Sequence, residues 1–243
     1  MLLLGIDTSG KNASAAIFDS ETEIFRARKT VHTTRTHSQI IMPMCMELLK
    51  ESDLQMSDIS AFAAASGPGS YTGLRIGVAA VKAMSFALGC KCSGVSTLEA
   101  AAYNNAEYQG TICTIMKARA DLVYTCTYRS DGYQPVPVTE ERIISRSELA
   151  EELAFRGEKA LLCGDGAADF FTEYRSASFF IAPPHTRFQD ASGVCLAAMA
   201  HGFYDPDELE VSYLQKVKAE KDLEKKSEQV PNADSSSEIG VKL

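Results

Sequence analysis

The sequence has no apolar run approaching the roughly 18 residues that a membrane-spanning helix requires. It has little basic charge: 24 Lys and Arg stand against 32 Asp and Glu, for a net charge of −8. An acidic chain repels a phosphate backbone at long range, so sole responsibility for gripping RNA or DNA is not expected. None of the 7 cysteines stands in a Cys-x-x-Cys pair. Cys90 and Cys92 are too close for ordinary chelation or a relaxed disulfide, and Cys113, Cys126, Cys163 and Cys195 lie in apolar segments. Buried free thiols in a reducing compartment are expected. No Gly-x-Ser-x-Gly elbow is present. His32 and His37 lack the i, i+4 spacing of a helical metal pair, and His185 and His201 are isolated. The start, Met1-Leu2-Leu3-Leu4-Gly5-Ile6-Asp7, has no basic segment before its short apolar run and does not read as a signal peptide. A soluble, cytoplasmic protein is expected.

What is present is ordinary globular sequence. The 243 residues are 45% hydrophobic and 23% charged, enough for one large or two small domains that fold without staples. Leu2–Ile6, Ala13–Phe18 and Glu23–Lys29 read as strand, turn, strand, turn, strand. Helical spacing runs over His37–Lys50, with Ile40, Ile41, Met44 and Leu48 on one face. Pro43 inside it predicts a kink or a late start. Ile59–Ser66 reads as a buried strand, followed by a glycine-rich loop and a helix over Leu74–Leu88 that Gly89 closes. Val95 reads as a short link into a helix at Leu98–Tyr103.

The opening hairpin then returns: Thr111–Met116 and Leu122–Tyr128 flank the turn Lys117–Asp121. This is either an internal duplication or two unrelated hairpins. Ser145 and Glu148 form a capping box before a helix ending near Phe155. Leu161–Cys163 reads as a strand into Gly164–Ala167, and Ser192–Gly202 as a helix. Residues 216–243 hold six basic and six acidic side chains with few apolar ones, and read as a disordered or frayed tail. The domains expected are 1–103, 104–215 with its last helix returning to the first lobe, and the tail.

Two segments invite chemistry. Asp7-Thr8-Ser9 places a carboxylate and two hydroxyls at a tight turn after a buried strand. Such a turn holds phosphate oxygens or a magnesium-bound water, or else satisfies its own backbone. Gly67-Pro68-Gly69-Ser70-Tyr71-Thr72-Gly73 feeds a helix N-terminus, which favours anions, with Arg75 one turn further on. The loop is neither a Walker A loop nor Gly-x-Gly-x-x-Gly. It is a phosphate cradle or a demanding strand-to-helix turn. Asp7, Thr8, Ser9, Gly67, Gly69, Ser70, Thr72 and Arg75 are the candidate nucleotide-loop residues.

Leu4–Ser9, His37-Ser38-Gln39, Gly67–Gly77, Val95–Ala100 and Gly164–Ala167, in this order, resemble the bacterial TsaB (YeaZ) family over residues 2 to about 215. The resemblance implies an α/β fold of two duplicated ribonuclease-H-like lobes, of the actin/sugar-kinase/Hsp70 superfamily. It implies a part in making N6-threonylcarbamoyladenosine at tRNA position 37. In that role the chain is a non-catalytic partner of the paralogue TsaD, with the ATPase TsaE joining them and tRNA met only through the complex. No intrinsic cofactor is implied, ATP or ADP with magnesium being expected only in the complex.

The catalytic paralogue carries a metal-binding Val-Asn-His-x-Glu-Gly-His. The matching stretch here puts Thr97 and Ala101 at the histidine positions, which implies that the metal site is lost. Lys117 stands where the family usually has an acid, and Tyr213-Leu214-Gln215 replaces the usual Tyr-Leu-Arg.

The resemblance also implies that the helices over His37–Lys50 and Leu74–Leu88 meet their counterparts in TsaD. Ile40, Ile41, Met44 and Leu48 are then the exposed apolar candidates, and Gly73, Gly77 and Ala80 the small positions that allow close approach. Without the paralogue, the same surface is expected to serve a homodimer. Two alternatives remain: a phosphotransferase or nucleotidase of the same superfamily acting alone, and a peptidase, for which no triad or metal pair can be assembled.

Overall fold

The structure, a computed structural model, describes residues 1–214. The expected tail lies outside the described residues. The first half comprises β1 (Leu2–Asp7), β2 (Asn12–Asp19), β3 (Ile24–His32), α1 (His37–Glu51), β4 (Ala61–Gly67), α2 (Tyr71–Leu88), β5 (Lys91–Ser96) and α3 (Thr97–Tyr103). The second comprises β6 (Gly110–Lys117), β7 (Leu122–Ser130), β8 (Pro135–Pro137), β9 (Arg142–Ser145), α4 (Arg146–Arg156), β10 (Ala160–Cys163), α5 (Ala167–Glu173), β11 (Phe179–Ile181), α6 (Pro184–Arg187) and α7 (Ala191–His201).

The first sheet has the order β3-β2-β1-β4-β5, antiparallel as far as β1 and parallel beyond it. The second has the order β11-β10-β6-β7-β8, with β9 also on β7. Here too a hairpin, β6–β7, is extended by parallel strands on the β6 side. The two sheets therefore repeat one topology, which is that of two ribonuclease-H-like lobes. The returning hairpin belongs to a duplication, and the α/β fold class expected from the resemblance is the one found.

Side-chain alternation builds the layers. Leu4 and Ile6 of β1 join Ile17, Phe62 and Ala64 under α1 and α2, while Leu3 joins Ala16, Ala61 and Ala63 under α7. β1 is buried on both faces, as its unbroken apolar run requires. On the second sheet, Ile112 and Met116 face α3, and Cys113 and Ile115 face the α4–α5 side. Helix α3 thus lies between the lobes. Helix α7, the last α-helix among the described residues, packs on β1, β2, β4 and β5 of the first sheet. A Cβ at Gly193 would stand 1.9 Å from the Ala100 carbonyl oxygen, so glycine there lets α7 settle against α3.

Helix α1 spans His37–Glu51, as its spacing predicts, and runs through Pro43 without the late start that is one of the two expectations for it; two other local expectations differ from the structure. Pro43 and Gln39 are both exposed, so water can serve the carbonyl whose partner proline removes. Residues 91–96 form a full strand, not a short link, although Lys-Cys-Ser-Gly-Val-Ser carries no apolar run. That strand ends the first sheet, and its outer side is met only by an isolated antiparallel bridge between Cys92 and Tyr204 among the described residues. Strands β8, β9 and β11 are three or four residues long and leave no periodic signal.

Candidate functional site

The Asp7–Ser9 turn ends β1, and the glycine loop folds directly over it. The Ser70 amide donates to the Ser9 carbonyl at 2.7 Å, and the Thr8 hydroxyl donates to the Gly73 carbonyl at 2.7 Å. A Cβ would stand 2.5 Å from the Ser9 oxygen at Gly69, 2.0 Å from the Thr8 oxygen at Gly73, and 2.4 Å from Thr8 Oγ1 at Gly77. Gly69 and Gly73 answer to backbone closing on backbone, and Gly77 makes room for the Thr8 side chain. The Ser70 hydroxyl accepts from the Gly73 amide at 3.2 Å and caps α2.

Asp7 is 1% exposed. Its Oδ1 accepts from the Ser9 amide at 2.9 Å and the Ser9 hydroxyl at 2.6 Å, while Oδ2 has no partner. Burial raises its pKa from 3.8 to about 6; the Ser9 hydrogen bonds oppose the rise and the charge of Asp190 adds to it. A carboxylate so enclosed does not suit a magnesium ion with its retained waters.

The structure does not bring all eight candidate loop residues together. Asp7, Thr8, Ser9, Gly69 and Ser70 meet. Gly67 is closed instead by the segment that follows α7: a Cβ there would lie 2.0 Å from the Ser212 oxygen, and the Ser212 amide donates to the Ser66 carbonyl. Thr72 is exposed. Arg75 donates through Nε to the Tyr213 hydroxyl at 3.0 Å and lies 4.1 Å from the Tyr71 ring centre, with Tyr71 stacked on Tyr213. Its charge is engaged at the surface by the C-terminal strap.

The ends of both hairpins face a small cavity of about 140 Å³, lined by Lys11, Asn12, His32, Lys117, Asp165, Phe188 and Gln189. The Lys117 amide donates to Asp165 at 2.9 Å, and its ammonium pairs with Asp169 at 2.7 Å. Burial pushes the Asp165 carboxyl up, and the Lys117 amide, Gln189 and the Lys117 charge oppose the rise. His32 shares a hydrogen bond with Asn12 Oδ1 at 2.9 Å. Sequence reasoning did not gather these residues, which come from five separate segments. Gly164-Asp165-Gly166, directly after a strand, was the available signal.

Thr97 and Ala101 are both buried on α3. Ala101 packs with Ile112 and Cys163, and Thr97 Oγ1 has no partner. No group of three His, Cys, Asp or Glu side chains suited to a metal ion occurs among the described residues.

The helix surface needs correction. Ile41, Met44 and Leu48 are buried in the core between α1 and the first sheet, and Ile40 is half-buried against it. Gly73 and Gly77 are buried over Thr8, and Ala80 is half-buried. Helical spacing finds the stripe of strongest apolar character, and that stripe faces the sheet. The outward positions are Met42 and Met46 on α1, 37% and 54% exposed, with Ala79, Ala83 and Phe86 on α2.

Residues 27–228 match the family model described as TsaD: tRNA N6-adenosine threonylcarbamoyltransferase. The tRNA threonylcarbamoyladenosine biosynthesis protein TsaB of Bacillus subtilis (strain 168) is 33% identical over 164 residues, 68% of this chain and 71% of the relative. The chain belongs to the TsaB family. The TsaB protein of Escherichia coli (strain K12) is 32% identical over 154 residues, 63% of this chain and 65% of the relative. A solved structure from Pseudomonas aeruginosa, described as an uncharacterized protein with similarity to peptidase YeaZ, superposes with a TM-score of 0.75 at 24% identity. It covers 88% of this chain and 99% of that one. At that identity the likeness to the YeaZ structure is one of fold, and the peptidase wording belongs to that protein's description. In this chain, the glycine segment is chiefly a packing element. No helix among the described residues is long and apolar enough to cross a membrane.

Proposed function

We propose that this chain is a non-catalytic subunit that binds and supports a TsaD-type catalytic subunit in forming N6-threonylcarbamoyladenosine on tRNA. The observation that carries the reading is the outer face of α1 and α2. These helices lie side by side over the first sheet. They turn Met42, Met46 and Phe86 outward beside the small residues Ala79 and Ala83. A helix pair with apolar anchors and small neighbours suits a second helix pair, such as a protein of the same fold offers. The names of the curated relatives support the pathway, and the match to the TsaD model supports a partner of like fold.

The chain's own residues support a non-catalytic role. The paralogue's metal-histidine positions are Thr97 and Ala101, both sealed in α3. Asp7 is closed beneath the glycine loop, and Lys117 is spent on Asp169. A cavity of about 140 Å³ is below the roughly 300 Å³ at which ligand pockets begin. On this reading ATP or ADP with magnesium acts in the complex, where TsaE joins, and tRNA is met through the catalytic subunit.

Reconstitution tests this reading. The full chain, TsaD and TsaE from the same genome, tRNA, ATP and threonylcarbamoyl-adenylate are mixed, and modified nucleoside is counted. Product is expected with all proteins, little without this chain, and none from this chain alone. Product from this chain alone, or equal product without it, overturns the proposal.

A further inference from the structure

A second, larger concavity lies away from the hairpin ends, where α3, the end of α7 and the β7–β8 edge meet. It has a volume of about 720 Å³, within the range of small-molecule sites. Tyr128 of β7, 1% exposed, forms part of its wall. Val136 and Val138 give it an apolar side, and Glu99, Glu140 and Glu141 give it an acidic one. No lysine or arginine lines it among the described residues; the one basic group is His201, whose Nε2 meets Glu99 at 2.7 Å.

We propose that this cavity binds an alkylammonium or guanidinium cation on an apolar stem, its charge held by Glu141 and its stem lying on Val136 and Val138. Three features argue for that ligand class. First, Glu99 already has a counter-group in His201, whereas Glu141 has none among the lining residues, so an entering cation finds an unmatched carboxylate. Second, burial and then the neighbouring Glu99 charge push the Glu141 carboxyl up, against the Ser96 and Tyr128 hydroxyls, so an entering cation offsets both penalties on its ionised form. An anion gains nothing from such a wall, and a neutral apolar ligand would leave the carboxylates desolvated without a partner. Third, Val136 and Val138 are 55% and 45% exposed, which leaves an apolar shelf free beside the charges. A methylene stem with a charged head suits that pairing of surfaces.

The cation enters as a small group rather than as an added strand. Strand β8 ends the second sheet, but two of its three residues, Pro135 and Pro137, have no N–H to offer a neighbouring backbone. The same ammonium chemistry comes from a free polyamine or from a lysine side chain on a partner.

Calorimetric titration of the full chain at about 0.15 M salt tests the site, with nonspecific attraction to the acidic surface largely screened. The probes are spermidine and Nα-acetyl-lysine methylamide. One-to-one binding of either is expected. Glu141→Gln should weaken it by about tenfold, and Glu151→Gln, an equal charge change on the exposed face of α4, should not. Tighter binding of spermidine assigns a free polyamine, and binding of the lysine probe alone assigns a partner's side chain; both support the site. The proposal is overturned if neither probe binds, or if the two variants lose affinity equally.

Discussion

Thr8 and Gly73 interlock: the Thr8 hydroxyl donates to the Gly73 carbonyl at 2.7 Å, while the Thr8 carbonyl lies 2.0 Å from where a Gly73 Cβ would be. The turn after β1 and the first turn of α2 are thus joined by a hydrogen bond and by a close approach that requires glycine at position 73. Gly73→Ala should lower stability by about 1–3 kcal/mol, because backbone must move to admit the methyl group. Denaturant unfolding checks it. A Gly73→Ala chain as stable as wild type would show that the turn yields freely.

Met44 and Met46 are two residues apart on α1 and should respond in opposite ways. Met44 is 2% exposed and Met46 54% exposed. Met44→Asp buries an unpaired charge and should unfold the chain or cost it several kcal/mol. Met46→Asp should leave the melting temperature nearly unchanged and weaken binding to TsaD by about tenfold or more, or about 1.4 kcal/mol. Thermal melts and binding titrations separate the two effects. Unchanged binding in both Met46→Asp and Phe86→Asp would remove the helix face from the account.

Asp7 sets a pH dependence of known sign. Its folded pKa, about 6, lies above the unfolded 3.8. The folded state therefore holds the proton more tightly, and Asp7's contribution is fully present below about pH 3.8 and lost as pH rises through about 6. At pH 7.5 the buried charge opposes folding by on the order of 2–3 kcal/mol. The stability of Asp7→Asn minus that of wild type should rise by that amount between pH 4 and pH 7.5. A flat difference would contradict the burial argument.

The thiols offer a simple count. Six of the 7 cysteines are buried, and Cys90 alone is half-buried. Burial pushes Cys45 up to about 12 and Cys113 up to about 11, so neither supplies thiolate at neutral pH. A thiol reagent should label one cysteine quickly in the native chain and seven after unfolding. Rapid labelling of several would mean that the lobes open.

The fold was legible where apolar residues run together. β1, β2, β4, β6 and β7 stand in the sequence as apolar strands, and the two hairpins hinted at the duplication that the sheet order makes plain. β5 and β8 were not legible, since an edge strand such as Lys91–Ser96 owes its pairing to a neighbour and not to its own pattern. The site was half legible. Asp7, Ser9 and Gly69 do meet, but a glycine that admits a phosphate and one that admits a backbone carbonyl look alike in sequence. The outward face of α1 was misread for a related reason. Periodicity marks Ile41, Met44 and Leu48 as a stripe and does not say whether the chain or a partner covers it. Gln189 and Asp165 come together only through the return of the chain after β10.

The most direct test of the partner role is sedimentation of the full chain with TsaD from the same genome, in the presence of ADP and of ATP. A stable one-to-one complex, lost in Met46→Asp while that variant stays folded, is the predicted result. Two independently sedimenting species under every nucleotide condition would contradict the account.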